Sequence, residues 1–333
     1  MTRGRVLITG AAGMVGSNLV PLLLDRGWEV AGVDDLSMGS LANLAAVLGR
    51  PSFTMHQADV RDTDAYRSAA RGADVVVHLA AKKIPKFGGA KGTLLANSHC
   101  AEVVLAEACR TGARVRLAST SDVYGMSPEP TLSEDGQLVM GPPTVKRWSY
   151  AISKLFDEQL ALAYAEEDGL DVAVLRFFNS YGPRHHRSWW GGPQSVFIDA
   201  ALGGGKLTVH GDGSQRRCFT YASDLVEGIA LAVEAEDLTG EVLNIGNPRE
   251  EVSIRQLAEE VCDLTGRDPQ EAVEYVPHEG LFGRYQEVQR RVPDISRMRE
   301  RFGYAPGVTL RDGLSRTIEW HREHPLDVPR AAS

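Results

Sequence analysis

Residues 5–16 read RVLITGAAGMVG. The run RVLITG (5–10) is a short β-branched and leucine segment that stops at glycine, the pattern of a buried strand. Glycines recur at Gly10, Gly13 and Gly16, and SNLVPLLLDRGW (17–28) then has helical spacing, with Gly27 near its end. A GxxGxxG spacing alone says little. Here a strand precedes it and a helix follows it, which is the context that gives it meaning. Glycines let the backbone turn tightly and approach a pyrophosphate. Met14 and Val15 then open the helix, where free amides and the helix dipole favour an anion.

The alternation continues outward from this stretch. EVAGVDD (29–35), FTMHQADV (53–60), VVVHLAA (75–81), RVRLAST (114–120) and VAVLRFFNSYGP (172–183) read as strands, the last running into a loop. HCAEVVLAEACRTG (99–112) and SYAISKLFDEQLALAYAEEDG (149–169) read as helices. Alternating strands and helices predict an α/β fold, a Rossmann-type doubly wound parallel sheet with helices on both faces. Beyond about residue 175 the pattern loosens, and glycine and proline gather in SWWGGPQ and LGGGKLTVHGDGSQ. The expected division is a nucleotide-binding domain over 1–175 and a smaller mixed α/β C-terminal substrate domain over 176–330. A return segment near 220–248, including GEVLNIGNP (240–248), rejoins the first.

Composition narrows the classes of function. The 333 residues carry a formal charge of −8, which argues against nucleic-acid binding by bulk electrostatics. No apolar run approaches the roughly 20 residues that span a bilayer, and the N-terminus has no secretion-type apolar stretch. Cys100, Cys109, Cys218 and Cys262 show no CxxC spacing and read as reduced thiols, so a cytoplasmic protein is expected.

About 20 residues past the glycines, the second strand ends in Asp34 and Asp35. An acid there accepts hydrogen bonds from an adenosine ribose and repels a 2′-phosphate, which favours NAD. Asp35 reads equally as a turn residue. Asp59, with Val60 beside it, stands either at an adenine edge or as a helix cap. Further on, Tyr150 and Lys154 lie four apart on one helix face. A nearby ammonium and a positive nicotinamide would stabilise phenolate and make the tyrosine a base. Thr120 or Ser121 is placed to hydrogen-bond the same substrate hydroxyl.

TGAAGMVG, VDD, HLAA, STSDVYG, YAISK and RFFNSYGP together resemble the extended short-chain dehydrogenase/reductases that act on nucleotide sugars, over about residues 4–320. The resemblance implies a tightly held NAD that is reduced and reoxidised within one cycle, with Thr120, Tyr150 and Lys154 as the catalytic set. It implies that Leu79, Ala80 and Ala81 line the cofactor, that Asn97 faces it, and that a homodimer forms through the two long helices. Asn179 and Val196 fall among the substrate residues, and Arg217 and Arg291 suit a diphosphate, whose oxygens a guanidinium fork can engage. GPPTVKRWSYAISK, SQRRCF and GRYQEVQRRVPDISR are similar to UDP-glucuronate decarboxylases and UDP-apiose/xylose synthases, which implies that Arg147 meets a substrate carboxylate.

In that reading Tyr150 takes the proton of the sugar 4-hydroxyl during C4 oxidation, carbon dioxide leaves, and an acid near C5 returns a proton. The product is UDP-xylose or its 4-keto precursor. Asp122 is either that acid or a loop aspartate satisfied by backbone amides. The alternative is a UDP-sugar 4-epimerase, which needs Tyr150 and Lys154 but no acid at 122. A 4,6-dehydratase is disfavoured by Ser121, where such enzymes carry an acid, and a sensor that binds NAD without turnover has no need of Tyr150 and Lys154. Lys82, Lys83 and Lys86 lie over the expected mouth of the site. Of these, Lys83 is read as holding a substrate carboxylate or phosphate. Trp189 and Trp190 wall the pocket or pack beside it.

Overall fold

The computed structural model describes residues 3–83, 89–188, 191–277 and 286–325. Six strands build the first part: β1 (Arg5–Thr9), β2 (Glu29–Asp34), β3 (Phe53–Gln57), β4 (Val75–His78), β5 (Arg114–Thr120) and β6 (Val172–Phe177). Short strands follow: β7 (Ser180–Tyr181), β8 (Leu207–His210), β9 (Arg216–Cys218) and β10 (Thr220–Tyr221). The chain then adds β11 (Glu241–Ile245), β12 (Glu251–Ser253), β13 (Val273–Val276) and β14 (Arg290–Arg291). β11 returns to the main sheet, whose seven strands run in the order β11-β6-β5-β4-β1-β2-β3. Every pairing in it is parallel.

The apolar runs explain this sheet. A parallel strand covered on both faces must be apolar nearly throughout. Val6, Leu7 and Ile8, Val75, Val76 and Val77, and Val172 to Leu175 are all essentially without exposure. Successive side chains point to opposite faces. Val6, Ile8, Val75 and Val77 therefore join one core, closed by Leu19 and Leu23 of α1 (Met14–Asp25) and Ile229 and Val233 of a later helix, Ala222–Glu234. Leu7, Val76, Val115 and Val174 join the other core. It is closed by Tyr66 of α2 (Thr63–Ala70), Val104 of α3 (Ala90–Thr111) and Ala161 of α4 (Trp148–Asp168). A third core gathers Phe197, Leu207, Leu257, Val261 and Ile318 in the second half.

Three elements depart from expectation. Helix α3 begins at Ala90 rather than 99, because Thr93, Ala96 and Asn97 are buried by tertiary packing that outweighs the modest propensity of KGTLLANS. Helix α2 was not foreseen. Its eight polar-rich residues are started by Asp62, whose side chain accepts the Ala65 amide. Helix α1 carries Pro21 within it, which cannot donate to the Ser17 carbonyl four residues back. Arg184 Nη1 donates to that carbonyl instead, at 2.9 Å.

Candidate active site

The glycine turn is shaped by close approaches. Gly10 has φ 72°, and a Cβ there would lie 2.9 Å from the Ala80 amide. At Gly16 a Cβ would lie 2.3 Å from the Gly10 carbonyl oxygen. Thr9 fastens the neighbouring strand end: its Oγ1 accepts the Leu79 and Ala80 amides, each at 3.2 Å, and bonds His78 Nδ1 at 2.7 Å. Gly13 caps α1 without a side-chain bond and the first turn holds no acid, so neither the cap nor the first turn competes with an anion there. Asp34, at the end of β2, accepts the Ala12 amide at 2.9 Å and the Leu36 amide at 2.8 Å. Burial raises its pKa and the two amides act against this. Asp34 thus locks the glycine turn to β2, and a carboxylate has lone pairs left for a ribose. These features fit a dinucleotide.

Neighbouring expectations need adjustment. Asp35 is exposed and closes its own turn on Ser37, at 2.9 Å to the amide and 2.6 Å to the hydroxyl. Asp59 does not cap a helix, because Asp62 does. Its carboxylate is gripped by Arg61, which lowers its pKa first through that hydrogen bond, and Val60 beside it is buried. Asn97 is buried. Its amide group bonds the Lys82 backbone on both sides, at 2.7 and 3.1 Å, and Ser153 Oγ at 2.9 Å. It braces the Leu79–Lys83 segment against α4, with Ala81 left exposed to the cleft.

The reacting end is carried by β5 and α4. β5 ends at Thr120, whose Oγ1 accepts the Asp122 amide at 3.2 Å and which also hydrogen-bonds the Tyr150 side chain. Ser121 beside it is buried. Tyr150, Lys154 and Asp157 are spaced i, i+4, i+7 and share one face of α4. The Lys154 ammonium donates to Asp157 Oδ2 at 2.8 Å, with both side chains buried. Tyr150 is pushed above the usual phenol range, by burial first and then by Asp122 and Asp157. Burial outweighs the Thr120 hydrogen bond, which alone acts in the lowering sense.

Asp122 sits among cations. Arg291 Nη2 bonds its Oδ1, Arg147 Nη2 lies 3.8 Å from the same oxygen, and Lys83 is near enough to act on it electrostatically. Burial alone would raise its pKa, yet Arg291, Arg147 and Lys83 hold it at about 2. The carboxylate is thus met by side-chain cations rather than by backbone amides, and those cations favour its ionised form while they stay in place. The Arg147 guanidinium stacks 5.1 Å from the Trp148 ring. Lys83 is accessible although protein surrounds it; that burial lowers its pKa, while Asp122 acts in the opposite sense. Arg217 and Arg291 are Cα partners on the parallel strands β9 and β14, so their side chains stand side by side. Arg217 donates to Glu287 at 2.9 Å and to the Val288 carbonyl at 2.6 Å. Arg216 and Arg290, one residue earlier, pair outside with Glu251. Asn179, at φ 37°, ties the end of β6 to the Cys218 carbonyl at 2.8 Å, and Val196 is half-buried in the helix Pro193–Leu202. Lys86, Trp189 and Trp190 lie outside the described residues.

Residues 6–246 match the NAD dependent epimerase/dehydratase family. The chain belongs to this family. It is 36% identical to a UDP-N-acetyl-alpha-D-glucosaminuronate decarboxylase of Bacillus cytotoxicus over 96% of this chain and 98% of that one. It is 35% identical to UDP-glucuronic acid decarboxylase 1 of Xenopus tropicalis over 96% of this chain and 73% of that one. Among solved structures, a dTDP-glucose 4,6-dehydratase of Streptomyces venezuelae with NAD bound superposes with TM-score 0.86 at 32% identity, over 96% and 97% of the two chains. The chain is thus an NAD-dependent family enzyme. In this family member the Gly16→Ala variant should lose NAD binding and fold poorly, because the added methyl meets backbone that cannot swing aside. Isothermal titration with NAD and a thermal melt would check it.

Sequence reasoning missed the network beneath the reacting turn. Glu158 pairs with Arg176 at 2.7 Å and accepts the Ser119 hydroxyl. Arg176 Nη1 donates to the Tyr124 hydroxyl at 3.1 Å, which donates to Asn244 Oδ1 at 2.7 Å. The chain of bonds fixes the Ser121–Tyr124 turn, and so Asp122, to β6 and β11. Arg176 inside the otherwise apolar VAVLRFF was the available signal. His185 was also missed: it bonds Ser195 at 3.2 Å, and its pKa is lowered to about 3, by burial first and then by Lys83. Among the described residues no helix is long and apolar enough to cross a membrane, and no histidine, cysteine or carboxylate cluster could hold a metal.

Proposed function

We propose that this family member decarboxylates a UDP-hexuronate, UDP-glucuronate or its 2-acetamido relative. The observation that carries this reading is that, among the described residues, Arg147, Arg291 and Lys83 gather at the carboxylate of Asp122. Guanidinium and ammonium groups gathered beside Thr120 and Tyr150 suit an anionic substrate group beyond a neutral hexose. The names of the two decarboxylase relatives point the same way.

When bound, NAD supplies hydride chemistry at C4 of the sugar. Tyr150, held by Thr120, takes the 4-hydroxyl proton. A ketone at C4 lies β to the C6 carboxylate, so the electrons of the C5–C6 bond pass toward the carbonyl oxygen as carbon dioxide leaves. Arg147 and Lys83 hold the carboxylate, while Arg291 and Arg217 face the diphosphate from one ladder. Asp122 keeps these cations in place before substrate arrives. Once they have turned to the substrate, the Asp122 carboxylate takes up a proton from solvent and passes it to C5. Leu95 on α3 and Ile152 and Phe156 on α4 are 60%, 38% and 53% exposed. That apolar face supports a homodimer built on the two long helices. Four free cysteines suit a reducing compartment, the cytoplasm.

The test is incubation with UDP-glucuronate and with UDP-N-acetylglucosaminuronate, products being followed by mass spectrometry and proton NMR. Loss of carbon dioxide to a pentose or keto-pentose nucleotide is expected. An unchanged mass with inverted C4 would replace this reading with an epimerase.

A further inference from the structure

We propose that Asp157 is a positioning residue for the Tyr150–Lys154 pair, holding the Lys154 ammonium in place and offsetting its charge inside the protein. The proposal rests on the catalytic reading of Tyr150 and Lys154 given above. Among the described residues Asp157 Oδ2 is the one hydrogen-bond acceptor of Lys154, at 2.8 Å, which leaves the other N–H groups of the ammonium for a ligand. The pair has side-chain exposures of 3% and 0%. Stability is a poor reason for such a pair, since apolar residues of the same volume often serve folding as well or better. Among the described residues Asp157 Oδ1 is also buried without a partner, an arrangement that costs stability.

Two carboxylates act on Tyr150, Asp122 more strongly and Asp157 after it, and of these Asp157 is the one bonded to Lys154. From its own helix, Glu158 is committed to Arg176, and Arg147 stands by Asp122 at the helix start. From β4, His78 is kept uncharged: its pKa falls to about 3, by burial first and then by Lys154. From α3, the Cys100 thiol is pushed up to about 12, by burial first. Asp59 and Arg61 act there from farther out, as a closed pair. From the end of β5, Thr120 and Asp122 face Tyr150. With its charge offset, Lys154 draws less on the Tyr150 proton, so the tyrosine becomes a base at higher pH than an uncompensated ammonium would allow.

The experiment compares wild type with Asp157→Asn and Asp157→Glu as holoenzymes. Two readouts are used: the pH profile of UDP-hexuronate turnover, and a substrate-free ultraviolet titration of tyrosinate, corrected by subtracting the Tyr150→Phe protein. The expected result for Asp157→Asn is an acid limb and a Tyr150 titration both moved down by roughly one pH unit. Asp157→Glu, which keeps the charge, should leave both where wild type has them. A lower melting temperature with both unmoved would show a structural role alone and overturn the proposal. If Asp157→Asn does not fold, Asp157→Ser is read by the same two criteria. If wild type turns over no UDP-hexuronate, the substrate reading fails, while the titration still decides for or against Asp157.

Discussion

Replacing Tyr150 with phenylalanine should lower turnover of a UDP-hexuronate by about 10²- to 10⁴-fold while NAD affinity stays within a few-fold. The hydroxyl hydrogen-bonds Thr120 and belongs to the helix face shared with Lys154, so its loss removes the proposed proton acceptor for C4 oxidation and little else. The ring remains, and the buried wall of the cleft with it. Because burial, Asp122 and Asp157 raise the Tyr150 pKa, activity should climb with pH on the acid side, as the fraction of phenolate rises. Steady-state kcat across pH and a fluorescence titration with NAD provide the check. A variant retaining more than a tenth of wild-type turnover would remove Tyr150 from the chemistry.

The second large effect concerns Arg147. Truncation to alanine should cut kcat/KM for UDP-glucuronate by about 30- to 150-fold, the value of a charge-assisted hydrogen bond of roughly 2–3 kcal/mol. The affinity for UDP alone should scarcely change, because Arg217 and Arg291 are held on a separate ladder. Asp122 loses one of its cations in the variant but keeps Arg291 and Lys83, so the turn should stay folded. Calorimetric Kd values for UDP and UDP-glucuronate, set beside the kinetics, separate the two contributions. Equal losses for both ligands would mean that Arg147 serves the nucleotide and not the carboxylate.

The main sheet was legible because its strands are continuous apolar runs, and no helix period competes in VLIT, VVVH or VAVL. The glycine turn was legible because its glycines answer a steric demand that no other residue meets. Tyr150 and Lys154 were legible because four-residue spacing on a helix is a local fact. What escaped was non-local. The partner of Asp122 lies 169 residues away in sequence, and no spacing rule links them. Arg176 and Glu158 lie on different elements and meet only after the sheet and α4 pack. Asn97 was legible as a position but not in its bonds, which run to Lys82 and Ser153. Asp157 looked like one more polar position on an amphipathic helix until the helix was placed.

The return of β11 to the edge of the main sheet limits how relatives could trade substrate specificity. β11 pairs with β6 from Glu241↔Ala173 to Ile245↔Phe177, and Asn244 within it also grips the Leu132 and Asp294 carbonyls, at 2.8 and 3.0 Å. A chimera spliced near residue 176 would carry in not only foreign arginines on β9 and β14 but also a foreign sheet edge and a foreign partner for Tyr124. Its amino-terminal fragment, made alone, would present β6 as an open apolar edge prone to self-association. Recombination that respects the architecture would leave 241–245 with the parent sheet and exchange the segments on either side of it.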